Sequence, residues 1–160
     1  LHWPASRAPK SAAMSTKQTI AIASDHAGFE LKAVLKQDLQ GLGYDVLDLG
    51  TDNAASVDYP DFGRSAARAI AEARAVRGVI ICGTGIGISI AANREPRARA
   101  ALCHDSTSAR LARQHNDANL LALGARLIGV ETARDCLRTF LATEFEGGRH
   151  AGRVAKLSQS

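Results

Sequence analysis

The sequence Val79-Ile-Ile-Cys-Gly-Thr-Gly-Ile-Gly-Ile-Ser-Ile-Ala-Ala-Asn93 decides the fold that we predict for this chain. It begins as an apolar run of strand length, passes through three alternating glycines and continues as the first turns of a helix. Backbone N–H groups and a positive helix end converge on one point in such a passage, which therefore favours anion binding. Cys82 lies where the strand meets the glycine loop, and Thr84 lies inside the loop. The segment predicts an anion-binding loop with a thiol beside it.

Short apolar runs and helical patterns alternate on both sides of this segment. The predicted strands are Thr19–Ser24, Val46–Leu49, Gly78–Cys82, Ala98–Cys103 and Asn119–Leu123. Segments with helical spacing separate the strands and follow the last one. The first ends at a capping Gly43, and the second covers about Asp61–Arg74 behind Pro60. Further helices are predicted to end near Gln114 and to start near Glu131, and a last short helix follows. Because each strand is short and apolar throughout, we predict an α/β protein, a three-layer α/β/α Rossmann-like sandwich with a five-stranded parallel sheet. Ligands bind such sheets beyond the carboxyl ends of the strands.

The length and the charge distribution of the chain limit its class. At 160 residues it has the length of one domain, which we predict over residues 19–160. Residues 1–18 are predicted to be a disordered leader or an expression remnant, because the chain starts at Leu1 and its only methionine is Met14. That segment contains three of the 20 basic residues and none of the 16 acidic ones. The predicted domain is therefore nearly neutral and gives no indication of nucleic-acid binding.

Cysteine content and hydropathy bear on location and cofactors. Cys82, Cys103 and Cys136 form no Cys-x-x-Cys pair, which argues against both a disulfide framework and a zinc site. No apolar run approaches the length of a membrane span, and no signal-peptide core follows the N-terminal charges. We expect a cytoplasmic protein with no membrane partner and no metal.

The glycine loop does not match the common nucleotide-binding motifs. The dinucleotide fingerprint Gly-x-Gly-x-x-Gly fails, because isoleucines stand at Ile88 and Ile90 where its last glycine would be. No Gly-Lys-Ser/Thr follows, so a Walker loop is excluded too. A nicotinamide oxidoreductase is therefore not expected. The structural alternative is a tight turn in an α/β domain that binds no nucleotide.

Two polar groups near predicted strand ends have both a structural and a functional interpretation. A single cysteine such as Cys82 is usually a small buried hydrophobe, but a thiolate is favoured near a helix N-terminus. Asp25 can cap the helix that follows it, with His26 beside it, or both can face a ligand.

The same choice applies to polar residues nearer the C-terminus. His115 can lie at a helix end or act in acid–base chemistry. Arg149 and Arg153 can form a solvated basic end, which is the usual role of a charge run. They are four residues apart on a predicted helix, however, and two guanidinium groups on one face suit a phosphate.

Taken in order, six motifs carry a resemblance to the ribose-5-phosphate isomerase B family, which also includes galactose-6-phosphate isomerase subunits. The motifs are Ser24–Gly28, Asp58–Pro60, Cys82–Asn93, Arg113–Asp117, Gly124–Arg126 and Glu146–His150. Each motif is weak alone, but the ordered set is specific and covers about residues 19–157. The resemblance implies aldose–ketose isomerisation of a phosphorylated sugar in the pentose phosphate pathway, with no cofactor.

The resemblance also implies a role for each matching residue. Cys82 would move a proton between C1 and C2 of the sugar, and His115 would open the furanose ring. Thr84 and the loop N–H groups would hold the enediolate oxygens, as an oxyanion hole does. The remaining substrate contacts would come from Asp25 and Asn116 on the sugar, Tyr59 lining the pocket, His26, Arg149, Arg153 and Arg126 on the phosphate, and Gly83, Gly85, Ile86 and Gly87 in the loop.

Members of the family form homodimers, and some form tetramers, with each active site shared between subunits. By analogy, His115, Asn116, Arg149 and Arg153 would come from one subunit and Cys82 from the other. We predict interconversion of D-ribose 5-phosphate and D-ribulose 5-phosphate. The alternatives are an isomerase of galactose 6-phosphate, allose 6-phosphate or a four-carbon sugar phosphate, and a non-catalytic binding module with the same fold.

Overall fold

Five short strands form one sheet in which every neighbouring pair is parallel. In the computed structural model, which describes residues 17–159, the strands run in the order β2-β1-β3-β5-β4. They are β1 (Thr19–Ser24), β2 (Asp45–Asp48), β3 (Arg77–Cys82), β4 (Ala100–Leu102) and β5 (Leu120–Gly124). The prediction of a five-stranded parallel sheet is confirmed. The predicted leader, residues 1–18, lies outside the described residues except for Lys17 and Gln18.

Helices follow the strands as the hydrophobic pattern predicts. Within residues 17–159 they are α1 (Phe29–Gly41), α2 (Tyr59–Ala71), α3 (Ile86–Ala92), α4 (Ser106–Asn116), α5 (Val130–Ala142) and α6 (Arg149–Leu157), and a 3₁₀ turn at His26–Gly28 precedes α1. In that part of the chain no helix is long and apolar enough to cross a bilayer.

Alternate strand residues face two separate cores, which explains why each strand is apolar throughout. On β3, Val79 and Ile81 pack with one cluster, while Ile80 and Cys82 pack with the other. Residues of α1, α4 and α5 cover the first face, and residues of α2 and α3 cover the second. The Cys82 side chain therefore lies on the α2 and α3 side of the sheet.

Small residues bring α2 and α3 close together. The buried residues of α2 are Gly63, Ala66, Ala67 and Ala69. A Cβ added at Gly63 would lie 2.7 Å from the Ile88 carbonyl oxygen, so the two helix backbones approach within a distance that only glycine permits. This contact sets the position of the first turn of α2, which carries Tyr59, beside the glycine loop.

Some element ends differ from the prediction by a few residues. The predicted cap at Gly43 is confirmed: its φ is +95°, and the next amide donates to the Leu39 carbonyl. Helix α2 ends before Arg74, because Ala73 adopts a left-handed φ of +59° and the Arg74 amide donates back to the Ala69 carbonyl. Strand β4 is shorter than predicted, because the Ala98 amide closes a turn onto Glu95.

A side chain pairs with the outer edge of β4. The Asn93 amide nitrogen donates to the Ala100 carbonyl at 3.0 Å, and its oxygen accepts from the Ala100 N–H at 2.8 Å. These are the two bonds that a neighbouring strand would otherwise make with that residue.

Candidate active site

A cleft of about 440 Å³ opens at the carboxyl ends of β1 and β3. The chain runs outward from β1 to β2 and then returns to β3 on the other side of β1, so these two strands flank the point where strand order reverses. Open α/β sheets bind ligands at such switch points. The cleft is lined by Asp25, Tyr59, Cys82, Gly83, Thr84, Ile86, Gly87, Ile90 and Arg126.

The glycine loop wraps around the Cys82 sulfur. Cys82 is 4% exposed, and its Sγ accepts a hydrogen bond from the Gly85 N–H at 3.1 Å. Gly85 has a φ of +77°, and a Cβ there would lie 2.8 Å from the backbone carbon of Leu123. Only glycine fits this turn, since both the backbone angle and the space exclude a side chain. A donated N–H stabilises negative charge on sulfur, so the turn favours a reactive thiol.

Thr84 lies at the exposed side of the same loop. Its Oγ1 accepts from the Ile86 N–H at 3.2 Å, which leaves the hydroxyl proton available to a ligand oxygen. Behind it, a Cβ at Gly124 would lie 2.5 Å from the Thr84 carbonyl oxygen. The loop therefore rests directly on the end of β5.

Tyr59 and Arg126 form two walls of the cleft against the other glycines. A Cβ at Gly87 would lie 2.5 Å from the Tyr59 Cζ, and one at Gly83 would lie 3.1 Å from the Arg126 Nη1. The absence of side chains at both glycines thus makes room for an aromatic ring and a guanidinium group.

Asp25 and His26 lie at the end of β1. The buried Asp25 accepts from the Gly28 N–H at 3.2 Å through Oδ1, which confirms the predicted helix cap, and it also lines the cleft. His26 Nδ1 accepts from the Val57 N–H at 3.1 Å. Because Nδ1 accepts this bond, the neutral ring carries its proton on Nε2. The His26 side chain is not among those that line the cleft.

The other predicted site residues lie elsewhere in the same chain. His115 and Asn116 are the last two residues of α4, while Arg149 and Arg153 are exposed on α6. None of these four lines the cleft that contains Cys82. Asn116 instead lines a depression beside β4, together with Asn93 and Leu157 among others.

The direction of the helices explains this separation. Helix α4 connects two parallel strands, so it runs back along the sheet and ends near the amino end of β5. Gly78 pairs with Leu120 at that end of the sheet, and Cys82 pairs with Gly124 at the other. Four residues of strand correspond to about 13 Å. One chain therefore holds the two halves of the predicted site at opposite ends of its strands.

The two remaining cysteines lie away from the glycine loop. Desolvation raises the pKa of the Cys103 thiol, and burial with nearby negative groups raises the pKa of Cys136 to about 12. Both side chains belong to the first core.

A histidine pair at the junction of α4 and α6 was not predicted. The rings of His115 and His150 stack, with centroids 4.5 Å apart and planes 15° apart, and His150 is 7% exposed. Burial lowers the pKa of His150, the neighbouring His115, Arg149 and Arg153 lower it further, and the Glu146 carboxylate opposes them. The sequence places His150 in a basic run, and that pattern predicts exposure. Ile90, another cleft residue that was missed, is one helical turn after Ile86.

Comparison with known proteins covers the part of the chain that contains the six motifs. The model of the family described as Ribose/Galactose Isomerase matches residues 20–157. The solved structure of Clostridium thermocellum ribose-5-phosphate isomerase B is 52% identical, with a TM-score of 0.87 over 88% of this chain and 95% of that one. Ribose-5-phosphate isomerase B of Escherichia coli is 43% identical over 87% of this chain and 93% of its own length. D-erythrulose-4-phosphate isomerase of Pectobacterium atrosepticum is also 43% identical, over 87% and 92%.

Proposed function

The chain belongs to the ribose/galactose isomerase family, and we propose that it interconverts D-ribose 5-phosphate and D-ribulose 5-phosphate. The observation that carries the proposal is the environment of Cys82: its sulfur accepts an N–H from Gly85 at the floor of a cleft at the sheet's switch point. The cleft has room for a small sugar. Among the relatives, the ribose-5-phosphate isomerase B proteins of Escherichia coli and Clostridium thermocellum support this substrate.

In the proposed reaction Cys82 acts as the base on the open-chain sugar. The thiolate takes the proton from C2, and the electron pair of that C–H bond forms the C1–C2 double bond of an enediolate. The resulting thiol returns the proton to C1, while the hydroxyl proton of O2 passes to O1. The aldehyde thus becomes a CH₂OH group and C2 becomes a ketone, so that no atom or electron is gained or lost.

The glycine loop supplies the stabilisation that this step needs. Charge develops on the sugar oxygens when the proton leaves carbon, and preorganised donors at such a position contribute on the order of 3 kcal/mol each. The donors we assign are the Thr84 hydroxyl and the N–H groups of Gly83 and Gly87; the Ile86 N–H already donates to Thr84 Oγ1. Asp25 and Tyr59 line the same cleft and would contact the sugar hydroxyls.

Ring opening and most of the phosphate binding require groups that the cleft of one chain lacks. We assign ring opening to His115, with Asn116 beside it, and phosphate binding to Arg149 and Arg153, all from a second copy of the chain. His26 would donate Nε2–H to the phosphate, and Arg126 would assist. The separation of about 13 Å along the sheet supports this arrangement, because the two sets cannot meet within one chain.

The rim of the cleft also supports a homodimer. Ile86 and Ile90 are 48% and 51% exposed beside the glycine loop. Apolar side chains grouped at the edge of a site are typical of surfaces that another subunit covers. Family analogy extends this dimer to a tetramer in some members.

A cytoplasmic location in the pentose phosphate pathway completes the proposal. The cysteines within residues 17–159 are all free thiols, which suits a reducing compartment. The pathway follows from the proposed five-carbon substrate.

A substrate panel tests the reaction and its specificity together. The kcat/KM is measured on D-ribose 5-phosphate, D-allose 6-phosphate, D-galactose 6-phosphate and D-erythrulose 4-phosphate. We expect the highest value on D-ribose 5-phosphate. The four-carbon substrate is included because a 43% identical relative is named for it. A tenfold preference for another sugar phosphate would reassign the substrate within the class. Binding of ribose 5-phosphate without turnover would instead indicate a non-catalytic module.

The shared site predicts complementation between two inactive variants. Cys82→Ala and His115→Ala homodimers should each be inactive, because every site lacks one of the two groups. In a heterodimer of these chains one site has both groups and the other has neither, so purified heterodimers should recover about half of the wild-type activity. The measurement uses two affinity tags and coexpression. Heterodimers no more active than the parent homodimers would contradict the shared site.

A further inference from the structure

Three side chains with metal-binding atoms meet where α4, the loop before α6 and α6 itself come together. They are His115, Glu146 and His150, and their potential ligand atoms all lie within 4.8 Å of one another. Two of them have no role in the proposed reaction. The cluster lies near the amino ends of the strands, away from the cleft that contains Cys82 in the same chain.

Backbone contacts hold the three segments in register. The Glu146 N–H donates to the Gln114 carbonyl at 3.1 Å, which fixes the loop to α4 next to His115. The His150 N–H donates to Gly147 at 3.0 Å, and its Nε2 lies 3.6 Å from the Glu146 Oε1. The stacked imidazole rings complete the arrangement. Backbone hydrogen bonds therefore hold the segments that carry the three donors close together.

We propose that His115, Glu146 and His150 bind a transition-metal dication, Zn²⁺ in the first instance. Two imidazole nitrogens and one carboxylate oxygen are a known zinc donor set, which leaves a fourth position for water. Bonds of about 2.0–2.1 Å at a tetrahedral ion place ligand atoms about 3.3 Å apart. Closing from 4.8 Å requires shifts of about 1 Å per side chain, and the stacked rings must also turn so that their in-plane nitrogen lone pairs converge on the ion.

The surrounding charge makes Glu146 the decisive ligand. Arg149 and Arg153 lie close enough to act electrostatically on His150, and both oppose the approach of a cation. Glu146 carries the one negative charge of the three ligands and is half exposed, so it can turn toward an ion without unpacking the protein. Metal affinity should therefore depend most strongly on this carboxylate.

Metal binding would also occupy the imidazole of His115. Because we assign ring opening to His115, Zn²⁺ at this site should inhibit the isomerase reversibly. This consequence rests on the proposed function, whereas binding of the metal does not.

Titration with Co²⁺ tests the site independently of turnover, because bound Co²⁺ reports its geometry through its visible absorption. We expect about one ion per chain, and at least about a tenfold loss of affinity in Glu146→Gln, since removal of even a supporting residue of a metal site costs that much. The exposed His104→Gln is the matched control and should bind as the wild type does. Cys82→Ala should also bind normally. An affinity that is unchanged in Glu146→Gln, or lost in Cys82→Ala, would overturn the proposal.

Zn²⁺ inhibition provides the second readout. Glu146→Gln should keep the basal activity and need at least about tenfold more Zn²⁺ for half inhibition, with full recovery on chelation. Equal sensitivity of the wild type and Glu146→Gln would overturn the inhibitory role. A protein that binds Co²⁺ as described but converts no sugar phosphate would support the metal site while refuting the proposed function.

Discussion

Cys82→Ala is expected to lower kcat/KM on ribose 5-phosphate by about 10³-fold or more, equivalent to about 4 kcal/mol of transition-state stabilisation. The proposed base is removed, and no other thiol in residues 17–159 lines the cleft. Cys82→Ser should be similarly inactive, because a hydroxyl is a far weaker base at neutral pH. The fold should survive, since alanine retains most of the apolar packing at this position. Steady-state kinetics with a coupled colour assay for the ketose measures the loss.

Cys103→Ala is the matched control for this substitution. Cys103 is buried at 1% exposure, like Cys82, but it lies after β4 in the first core, away from the glycine loop. We expect its kcat/KM to stay within about threefold of the wild type, because its thiol contacts no proposed substrate group. Full activity in Cys82→Ala would refute the assignment of the base, and a loss in both variants would point to a packing defect.

Arg113→Met is expected to destabilise the protein by about 3 kcal/mol, the largest effect on stability that we predict. Arg113 is 4% exposed. Its guanidinium donates to the Asp117 carboxylate at 2.8 Å, to the Ala118 carbonyl at 2.7 Å and to the Thr143 carbonyl at 3.0 Å. Methionine fills a similar volume but satisfies none of these acceptors, and unsatisfied buried acceptors cost about 1–3 kcal/mol each. Urea unfolding at one fixed protein concentration measures the change.

Arg110 offers the control for Arg113. It lies one turn earlier on α4, is exposed, and donates only to the Gln114 side chain. Arg110→Met should therefore change stability by no more than about 0.5 kcal/mol. Arg113→Lys retains the charge without the planar fork and should fall between the two. If Arg113→Met and Arg110→Met were equally stable, the hydrogen bonds at Arg113 would contribute nothing net.

The strand that carries Cys82 and the buried Arg113 show what the sequence could and could not predict. The fold could be predicted from strands such as Gly78–Cys82, because their apolar runs are too short for helices and the glycines that end them lie next to them in the sequence. The buried role of Arg113 could not be read from its sequence, because an arginine on an amphipathic helix is normally solvated. Its burial depends on acceptors 30 residues away, at Thr143.

The candidate site divides in the same way. Cys82, Thr84 and the loop glycines are contiguous, so their proximity was predictable from local turn chemistry. Alternating strands and helices also imply that His115, at a helix end, lies at the opposite edge of the sheet from Cys82. The stacking of His115 on His150 was not predictable, since it depends on how α6 packs against α4. The bond from Val57 to His26, which fixes the imidazole proton on Nε2, depends on the path of a loop that no pattern specifies.

The pairing of Asn93 with Ala100 has a consequence for the solubility of the sheet. A strand at an open edge is a template on which other chains can add, and long edges are prone to aggregation. Strand β4 has three residues, and the backbone groups of alternate residues point to opposite sides of the strand. The Cys103 N–H donates to Ala122 on β5, so Ala101 faces β5 too, and only Ala100 and Leu102 direct their backbone groups outward. The Asn93 amide occupies both groups of Ala100, so an incoming strand finds a single residue with which to pair. One side-chain amide thus ends the growth of the sheet on this side.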